Sequence, residues 1–149
     1  MSIQDDRAID GVALISAKDP DFPENLRLAV DAPEIIYVRG AFLPQDRVAV
    51  AIVGTRSPTH HGRIIAREMA RDLASVGVTV VSGLAMGIDA EAHRGAVDAG
   101  GRTIACLGTA IDVVYPRCNE SLFRKIPASG ALVSEYGPGT PAMPYRFPR

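Results

Sequence analysis

The sequence has no tryptophan and only two cysteines, and both shortages narrow the kinds of site it can hold. Cys106 and Cys118 stand without CxxC spacing or a nearby histidine cluster, which disfavours a zinc site and a disulfide framework and favours a reducing compartment. Aromatic residues make up 5% of the chain, so few side chains can stack on bases. No run of 18 apolar residues and no charged-then-apolar leader occurs, and we therefore expect a cytoplasmic protein without membrane contact.

The chain also lacks an excess of charge of either sign. Its formal net charge is −1, and its 149 residues are 47% hydrophobic and 22% charged, which is typical of one globular domain with a real core. Because the chain has no overall positive charge, a nucleic-acid site has to be a local cluster of basic residues. Lys18 and Lys125 are the only lysines, and the other basic residues are arginines, whose planar fork suits contacts to phosphate.

Four apolar segments predict strands, and the second of them has no polar face, as expected for a strand buried on both sides. They lie near residues 47–53, 78–82, 103–107 and 131–134. Helical patterns alternate with them, the clearest over 61–76, where Ser57 or Thr59 is expected to cap the start and Gly77 ends the helix. This order predicts an α/β Rossmann-like fold of three layers, a parallel sheet with helices on both faces, in which the 78–82 strand is flanked on both sides.

The N-terminal residues form a separate predicted unit. Residues 1–20 carry no strong period, a short helix is expected near 21–29, and 35–40 reads as a strand closed by glycine. We expect 1–40 to be an extension that packs on a core formed by 41–149.

Residues 78–96 read VTVVSGLAMGIDAEAHRGA, a strand, a glycine-containing turn and a helix. Asp89 is expected to accept hydrogen bonds from the free N–H groups at the start of that helix. Such a turn brings backbone N–H groups together where an anion can bind. A tight turn whose glycines only relieve strain is the competing interpretation.

Loops that follow parallel strands meet on one edge of the sheet, where ligands bind in open α/β folds. We call this edge the carboxyl rim, and it comprises the loops 54–59, 82–89, 108–117 and the chain from 135 onward. It holds Arg56 and Arg117 together with hydroxyl groups and free amides, which favours a phosphate or carboxylate site over two unrelated solvated arginines.

The familiar catalytic and nucleotide motifs are missing. No P-loop lysine and no G-x-G-x-x-G occurs, which disfavours a nucleotide-dependent motor and a dinucleotide dehydrogenase. His93 is expected to be a packed, hydrogen-bonded histidine, and neither Asp112 nor Glu135 has a partner at catalytic spacing. His60 and His61 lack further metal ligands. We therefore expect no catalytic residue, no metal site and no cofactor.

Four segments, in this order, resemble the DNA-processing protein A family (DprA, also called Smf) and cover nearly all of residues 31–148. They read DAPEIIYVRG, VAIVGTRSPTHHG, VVSGLAMGIDAEAHRGAVDAGGRTIACLGTAIDVVYPRCN and ALVSEYGPGTPAMPYRFP. The resemblance implies a protein without enzymatic activity that binds single-stranded DNA and hands it to the RecA recombinase in natural transformation. The residues that match the binding loops of the family are Gly54, Thr55, Arg56, Ser82, Gly83 and Arg117.

The family pattern continues after Phe-Pro with an Arg-Asn-Arg motif and further strands, whereas this sequence ends at Arg149. We therefore expect a sheet that is incomplete at its C-terminal end, without the usual dimer surface and RecA-binding surface. The 131–134 strand would then present an unpaired edge that promotes a homo-oligomer. A nucleotide-binding sensor, a nucleotide hydrolase of the wider Rossmann-like group and an inactive truncated fragment stay as alternatives.

Overall fold

The computed structural model describes residues 11–146, which build one mixed six-stranded sheet in the order β1-β2-β6-β5-β4-β3. The strands from β3 to β6 are parallel to one another, and β1 and β2 run antiparallel. The strand bounds are β1 (Val12–Ser16), β2 (Ile35–Gly40), β3 (Ala49–Ala51), β4 (Thr79–Ser82), β5 (Thr103–Leu107) and β6 (Ala131–Ser134).

The helices are α1 (Glu24–Arg27), α2 (His60–Ser75), α3 (Ile88–Asp98) and α4 (Glu120–Lys125), with 3₁₀ turns at Pro44–Arg47, Arg117–Asn119, Ile126–Ala128 and Pro144–Arg146. The Thr59 hydroxyl caps α2 by accepting from the Gly62 N–H at 3.0 Å, and the chain leaves α2 through Gly77 at φ 87°. The predicted capping and termination of this helix are confirmed. Within residues 11–146, no helix combines the length and the apolar character that a membrane crossing requires.

The predicted Rossmann-like sheet is confirmed, with β4 paired on both sides and none of its four residues exposed. Because β3 to β6 follow one another across the sheet, right-handed crossovers place α2, α3 and α4 on the same face. Val80, Ala105 and Leu132 point toward those helices, while Val81, Ile104 and Val133 point to the opposite face. That second face is covered by Phe22 and by Leu26 of α1, so the two helical layers are unequal.

The outer side of β6 is occupied by β2, from the pair Tyr37–Ser134 to the pair Gly40–Ala131. The prediction of an unpaired edge at 131–134 is therefore wrong, because an N-terminal strand fills that position in antiparallel orientation. Among the described residues, the free edges of the sheet are β1 and β3, and all three residues of β3 are exposed. Self-association stays a prediction, and β3 is the exposed edge strand through which a second copy would pair.

Residues 12–16 form a strand that the sequence does not predict. β1 pairs with β2 along its whole length, and Val12 is buried in the core beneath α3 and α4. The N-terminal residues therefore pack on the later ones by extending their sheet. The division into an extension, 1–40, and a core, 41–149, stays a prediction.

A buried ion pair joins the segments that lie before the parallel strands. Asp46 and Arg102 form a two-pronged contact, Nε to Oδ1 and Nη2 to Oδ2, each at 2.8 Å, with side chains only 9% and 10% exposed. The Leu43 N–H and the Thr79 hydroxyl also donate to the Asp46 carboxylate, each at 2.7 Å. Arg102 donates in addition to the carbonyl groups of Ser129 and Ala41. Since Thr79 begins β4 and Arg102 directly precedes β5, the ion pair links these two strands to the segments before β3 and before β6.

Candidate nucleic-acid interface

Three loops of the carboxyl rim converge on one small cavity of about 40 Å³. Arg56 reaches it from the loop after β3, Gly83 and Met86 from the loop after β4, and Tyr115 and Pro116 from the loop after β5. The remaining lining residues are Ala85, Leu107, Gly108 and Thr109. The topology therefore brings together the loops that the sequence assigns to one edge of the sheet.

The two rim arginines occupy different positions relative to this cavity. Arg56 is exposed and lines it, whereas Arg117 is exposed but begins the 3₁₀ turn that follows Pro116 at the lip. Arg117 directly follows Pro116, the last residue of its loop that lines the cavity. Both residues are thus exposed at the same edge of the sheet.

Asp89 ties two of the rim loops together from inside. Its carboxylate accepts from the Gly54 N–H at 3.3 Å and from the Gly83 N–H at 3.0 Å, and the residue is 6% exposed. The expectation that Asp89 caps its own helix is wrong. It is the second residue of α3, and its side chain reaches across to the loops, where the positive end of the helix dipole stabilises its charge. The Gly54 and Gly83 amides, which the sequence offers to an anion, donate to this carboxylate instead.

Of the other predicted site residues, Ser82 lies in the interior and Thr55 lies at the surface. The Ser82 hydroxyl is buried and donates to the Ile52 carbonyl at 2.6 Å, so it joins β4 to the chain after β3 and does not face the cavity. Thr55 is exposed, and its hydroxyl accepts from the Ser57 N–H at 3.1 Å, which shapes the loop that carries Arg56.

His93 supports the turn that carries Gly83 and Met86. Its Nε2 accepts from the Leu84 N–H at 3.2 Å, so Nδ1 carries the proton and donates to the Thr103 hydroxyl at 2.7 Å. Leu84 has a positive φ of 58°, and this hydrogen bond holds its backbone in place. Burial lowers the pKa of His93 to about 3, which keeps the ring neutral at physiological pH. The prediction of a packed, hydrogen-bonded histidine is confirmed.

The free energy of unfolding is expected to fall as the pH falls from 7 to 5. Below the ordinary histidine pKa of 6.5 the unfolded chain takes up a proton that folded His93 does not take up until about pH 3. Stability is therefore full above 6.5 and is lost toward lower pH, with a slope of up to about 1.4 kcal/mol per pH unit. Urea denaturation at pH 5, 6 and 7 should show this slope in the wild type and a clearly smaller one in His93→Gln; equal slopes would contradict it.

Asn119 is a rim residue that the sequence reasoning misses. Its side-chain amide is buried and donates to the carbonyl groups of Leu84, at 2.9 Å, and Ala85, at 3.2 Å. It thereby fastens the loop after β5 to the loop after β4. The available signal was a single amide directly before the short helix α4, which does not by itself indicate a partner 35 residues away.

A larger concavity of about 490 Å³ lies elsewhere, along the outward face of α2. Its lining residues are Ile65, Glu68, Met69, Asp72, Leu73 and Val76. α2 buries Ala66, Ala70 and Ala74 instead, so this apolar stripe is left open. Its two polar lining residues, Glu68 and Asp72, are carboxylates that repel an anion, so this concavity is not a candidate for a phosphate site. Among residues 11–146, no three His, Cys, Asp or Glu side chains assemble as metal ligands.

Known proteins resemble this chain in both sequence and fold. The family model for DNA recombination-mediator protein A matches residues 13–149. Protein Smf of Synechocystis sp. is 41% identical over 138 residues, which are 90% of this chain and 35% of that protein. The X-ray structure of DNA processing protein A from Streptococcus pneumoniae matches with a TM-score of 0.82 at 34% identity, over 92% of this chain and 48% of that one.

A second solved structure extends the comparison to DNA. DNA processing protein A from Helicobacter pylori, whose structure is described for its single-stranded DNA binding mode, matches with a TM-score of 0.79 at 28% identity. The match covers 91% of this chain and 60% of that one. The chain thus spans between 35% and 60% of the length of these three relatives.

Proposed function

The chain belongs to the DNA recombination-mediator protein A family, and from this membership we propose that its carboxyl rim binds the phosphate backbone of single-stranded DNA. The observation that carries this is the position of Arg56, exposed at a cavity where three loops of the sheet meet. The single-stranded DNA binding described for the similar protein of Helicobacter pylori supports it. Net charge contributes little, so binding depends on this local cluster.

The six predicted site residues take different parts in this binding. Arg56 and Arg117 make charged, forked hydrogen bonds to phosphate oxygens. Thr55 shapes the Arg56 loop and offers its hydroxyl. The absence of side chains at Gly54 and Gly83 lets the loops pack closely, since a Cβ at either would lie 2.8 Å from Ile88 or from Asp89, respectively. Ser82 acts from the interior by fixing β4 beneath the loops.

A nucleotide sensor or hydrolase is the second candidate, and the size of the cavity weighs against it. Sites for small organic ligands enclose about 300–1,000 Å³. The rim cavity measures about 40 Å³, enough for a few water molecules but not for a nucleotide. A strand lying across the mouth fits this shape better than a mononucleotide inside it.

A binding protein without an enzymatic step is therefore the role proposed for this chain. Delivery of the bound strand to a RecA recombinase in natural transformation is a further proposal, and it rests on family membership rather than on any residue of the rim. It is tested separately, by strand exchange with purified recombinase.

Replacing Arg56 or Arg117 by alanine should weaken binding of single-stranded DNA by about 1–3 kcal/mol, the range for charged hydrogen bonds. Phosphate contacts carry no sequence information, so the loss should be the same for oligothymidine and for mixed sequences. Arg56→Lys keeps the charge but not the fork and should recover only part of the affinity. Fluorescence anisotropy with labelled oligonucleotides measures these affinities.

Arg71→Ala is the matched control. Arg71 is exposed on α2, eleven residues beyond His60 and thus about 16 Å along the helix from its rim end. Its loss should leave affinity nearly unchanged. If Arg71→Ala weakens binding as much as Arg56→Ala does, diffuse surface charge and not the rim is responsible.

A further inference from the structure

Arg56 and Arg117 stand on two different loops of the rim, and a third loop lies between those two. Arg56 follows β3 and Arg117 follows β5, while β4 is the strand between β3 and β5 in the sheet. We call residues 83–87, which follow β4, the middle loop. One DNA strand can contact both arginines only if their spacing suits it, and that spacing depends on how the middle loop is attached on each side.

On the Arg56 side, the middle loop packs directly on the backbone of its neighbour. The Ile88 N–H, at the end of the middle loop, donates to the Thr55 carbonyl group at 3.2 Å. A Cβ at Gly87 would lie 2.3 Å from the Thr55 carbonyl oxygen and 2.9 Å from the carbonyl carbon of Arg56. Gly87 also has a positive φ of 85°, which glycine adopts without strain. Main-chain contacts therefore set the position of Arg56 relative to the middle loop.

On the Arg117 side, a buried side chain holds the middle loop. Asn119 is 3% exposed, and its Nδ2 donates to the carbonyl groups of Leu84 and Ala85. The backbone N–H of Asn119 donates to the Pro116 carbonyl at 3.0 Å, which closes the turn that begins at Arg117. One residue thus shapes the Arg117 turn and bonds it to the middle loop.

Leu84 shows that the middle loop is held in a conformation that it would not adopt by itself. Its φ of 58° lies in the left-handed region, which residues other than glycine avoid. Buried side chains bond both of its backbone polar groups, since His93 accepts from the Leu84 N–H and Asn119 donates to the Leu84 carbonyl. Strained residues of this kind persist where the surroundings fix them, and they are frequent at functional sites.

We infer that Asn119 is a positioning residue for the DNA site, which fixes the spacing between Arg117 and Arg56 so that both contact one strand at once. This inference rests on the proposed function and gives Asn119 no contact with DNA. Two arginines that are already in place lose less conformational freedom on binding than two arginines on loops that move independently. The affinity for DNA therefore depends on a side chain that the strand does not touch.

Asn119→Ala should weaken binding of an oligothymidine by about 3- to 10-fold, the cost of ordering one or two side chains on binding. The test is a double-mutant cycle with Arg117→Ala, measured by fluorescence anisotropy. If Asn119 positions Arg117, replacing Arg117 should cost clearly less affinity in the Asn119→Ala background than in the wild type. A general loss of folded protein would instead leave the effect of Arg117→Ala the same in both backgrounds.

Thr79→Val is the matched control. Thr79 is fully buried, and its hydroxyl donates to Asp46 at the opposite end of the sheet from the rim. The variant therefore loses a buried hydrogen bond but should keep the wild-type affinity for DNA. Asn119→Ser serves if Asn119→Ala does not fold. A hydroxyl has a single donor and can bond only one of the two carbonyl groups, so the loss should be smaller and the non-additivity with Arg117→Ala retained.

Three results would overturn this inference alone, if Arg56→Ala and Arg117→Ala still weaken binding. The first is wild-type affinity in Asn119→Ala, the second is additive effects of Asn119→Ala and Arg117→Ala, and the third is an equal loss of affinity in Thr79→Val. Wild-type affinity in both arginine variants would overturn the proposed function, and this inference with it.

Discussion

Replacing Asp46 by alanine is expected to lower the free energy of unfolding by about 3–5 kcal/mol, the largest effect of any single change considered for this chain. The substitution removes the charge partner of Arg102, whose side chain is only 10% exposed in the intact pair. It also removes the acceptor of the Leu43 N–H and of the Thr79 hydroxyl. Domains of this size are stable by about 5–15 kcal/mol, so much of the total would be lost.

Asp98→Ala is the control, because it removes the carboxylate of an exposed ion pair rather than that of a buried one. Asp98 pairs with Arg67 at 2.6 Å, but both side chains are about half exposed, and exposed pairs contribute at most about 1 kcal/mol. Urea denaturation of the two variants at pH 7 makes the comparison. Equal losses in Asp46→Ala and Asp98→Ala would show that the buried pair has no special weight.

The same ion pair gives stability a dependence on acid. Burial raises the pKa of Asp46, but the hydrogen bonds from Arg102, the Leu43 N–H and Thr79 outweigh it and leave the pKa below its ordinary value of 3.8. A carboxyl group whose pKa is lower in the folded state stabilises the fold fully at a pH above its pKa in the unfolded chain. This stabilisation is lost as the pH falls through the pKa of the folded state. The loss from Asp46 therefore begins below about pH 4, where it adds to the loss from His93, which continues until the folded ring takes up its proton near pH 3.

Asp89→Ala should lower the free energy of unfolding by about 2–5 kcal/mol, because it leaves the Gly54 and Gly83 N–H groups without an acceptor. It should also weaken DNA binding, since the loops that carry Arg56 and Met86 lose the carboxylate that joins them. An effect of charge alone would be tighter DNA binding, because removing an acidic group near the rim reduces the repulsion of the polyanion. The sign of the change in affinity, measured below the unfolding temperature of the variant, decides between the two.

Asp112→Ala provides the matched comparison. Asp112 is an exposed carboxylate on the rim that accepts only a long hydrogen bond, 3.3 Å, from the Gly139 N–H among the described residues. Its removal should leave stability nearly unchanged and make DNA binding slightly tighter. If Asp89→Ala also binds more tightly, the carboxylate acts by repulsion and its role in joining the loops is refuted.

The parallel strands were predictable because each is a short apolar run, and in the central strand β4 Val80 and Val81 pack on opposite faces of the sheet. The pairing of β2 with β6 was not, because periodicity shows that 35–40 is a strand but not which strand it pairs with. That choice depends on Ile36 and Val38 packing with Val133 on the second face of the sheet, a contact nearly a hundred residues apart in sequence.

The rim was predictable from topology alone, since the loops after parallel strands share an edge. The direction of individual polar groups within it was not. Asp89 has the position and type of a residue that caps a helix, yet its partners lie on two other loops, one of them 35 residues away. Ser82 reads as a rim hydroxyl, but the strand turns it toward the Ile52 carbonyl. Side-chain partners of this kind are set by packing, which local sequence rules do not contain.

The salt dependence of single-stranded DNA binding, measured for the wild type, Arg56→Ala and Arg71→Ala, tests most directly whether the rim holds the phosphate backbone. Each phosphate contact on a single strand contributes a slope of about −0.7 in log affinity against log salt concentration. We expect the wild-type slope to correspond to several contacts, Arg56→Ala to lose about 0.7 of it, and Arg71→Ala to lose none. A slope that is unchanged in Arg56→Ala, or reduced equally in Arg71→Ala, would contradict binding at the rim.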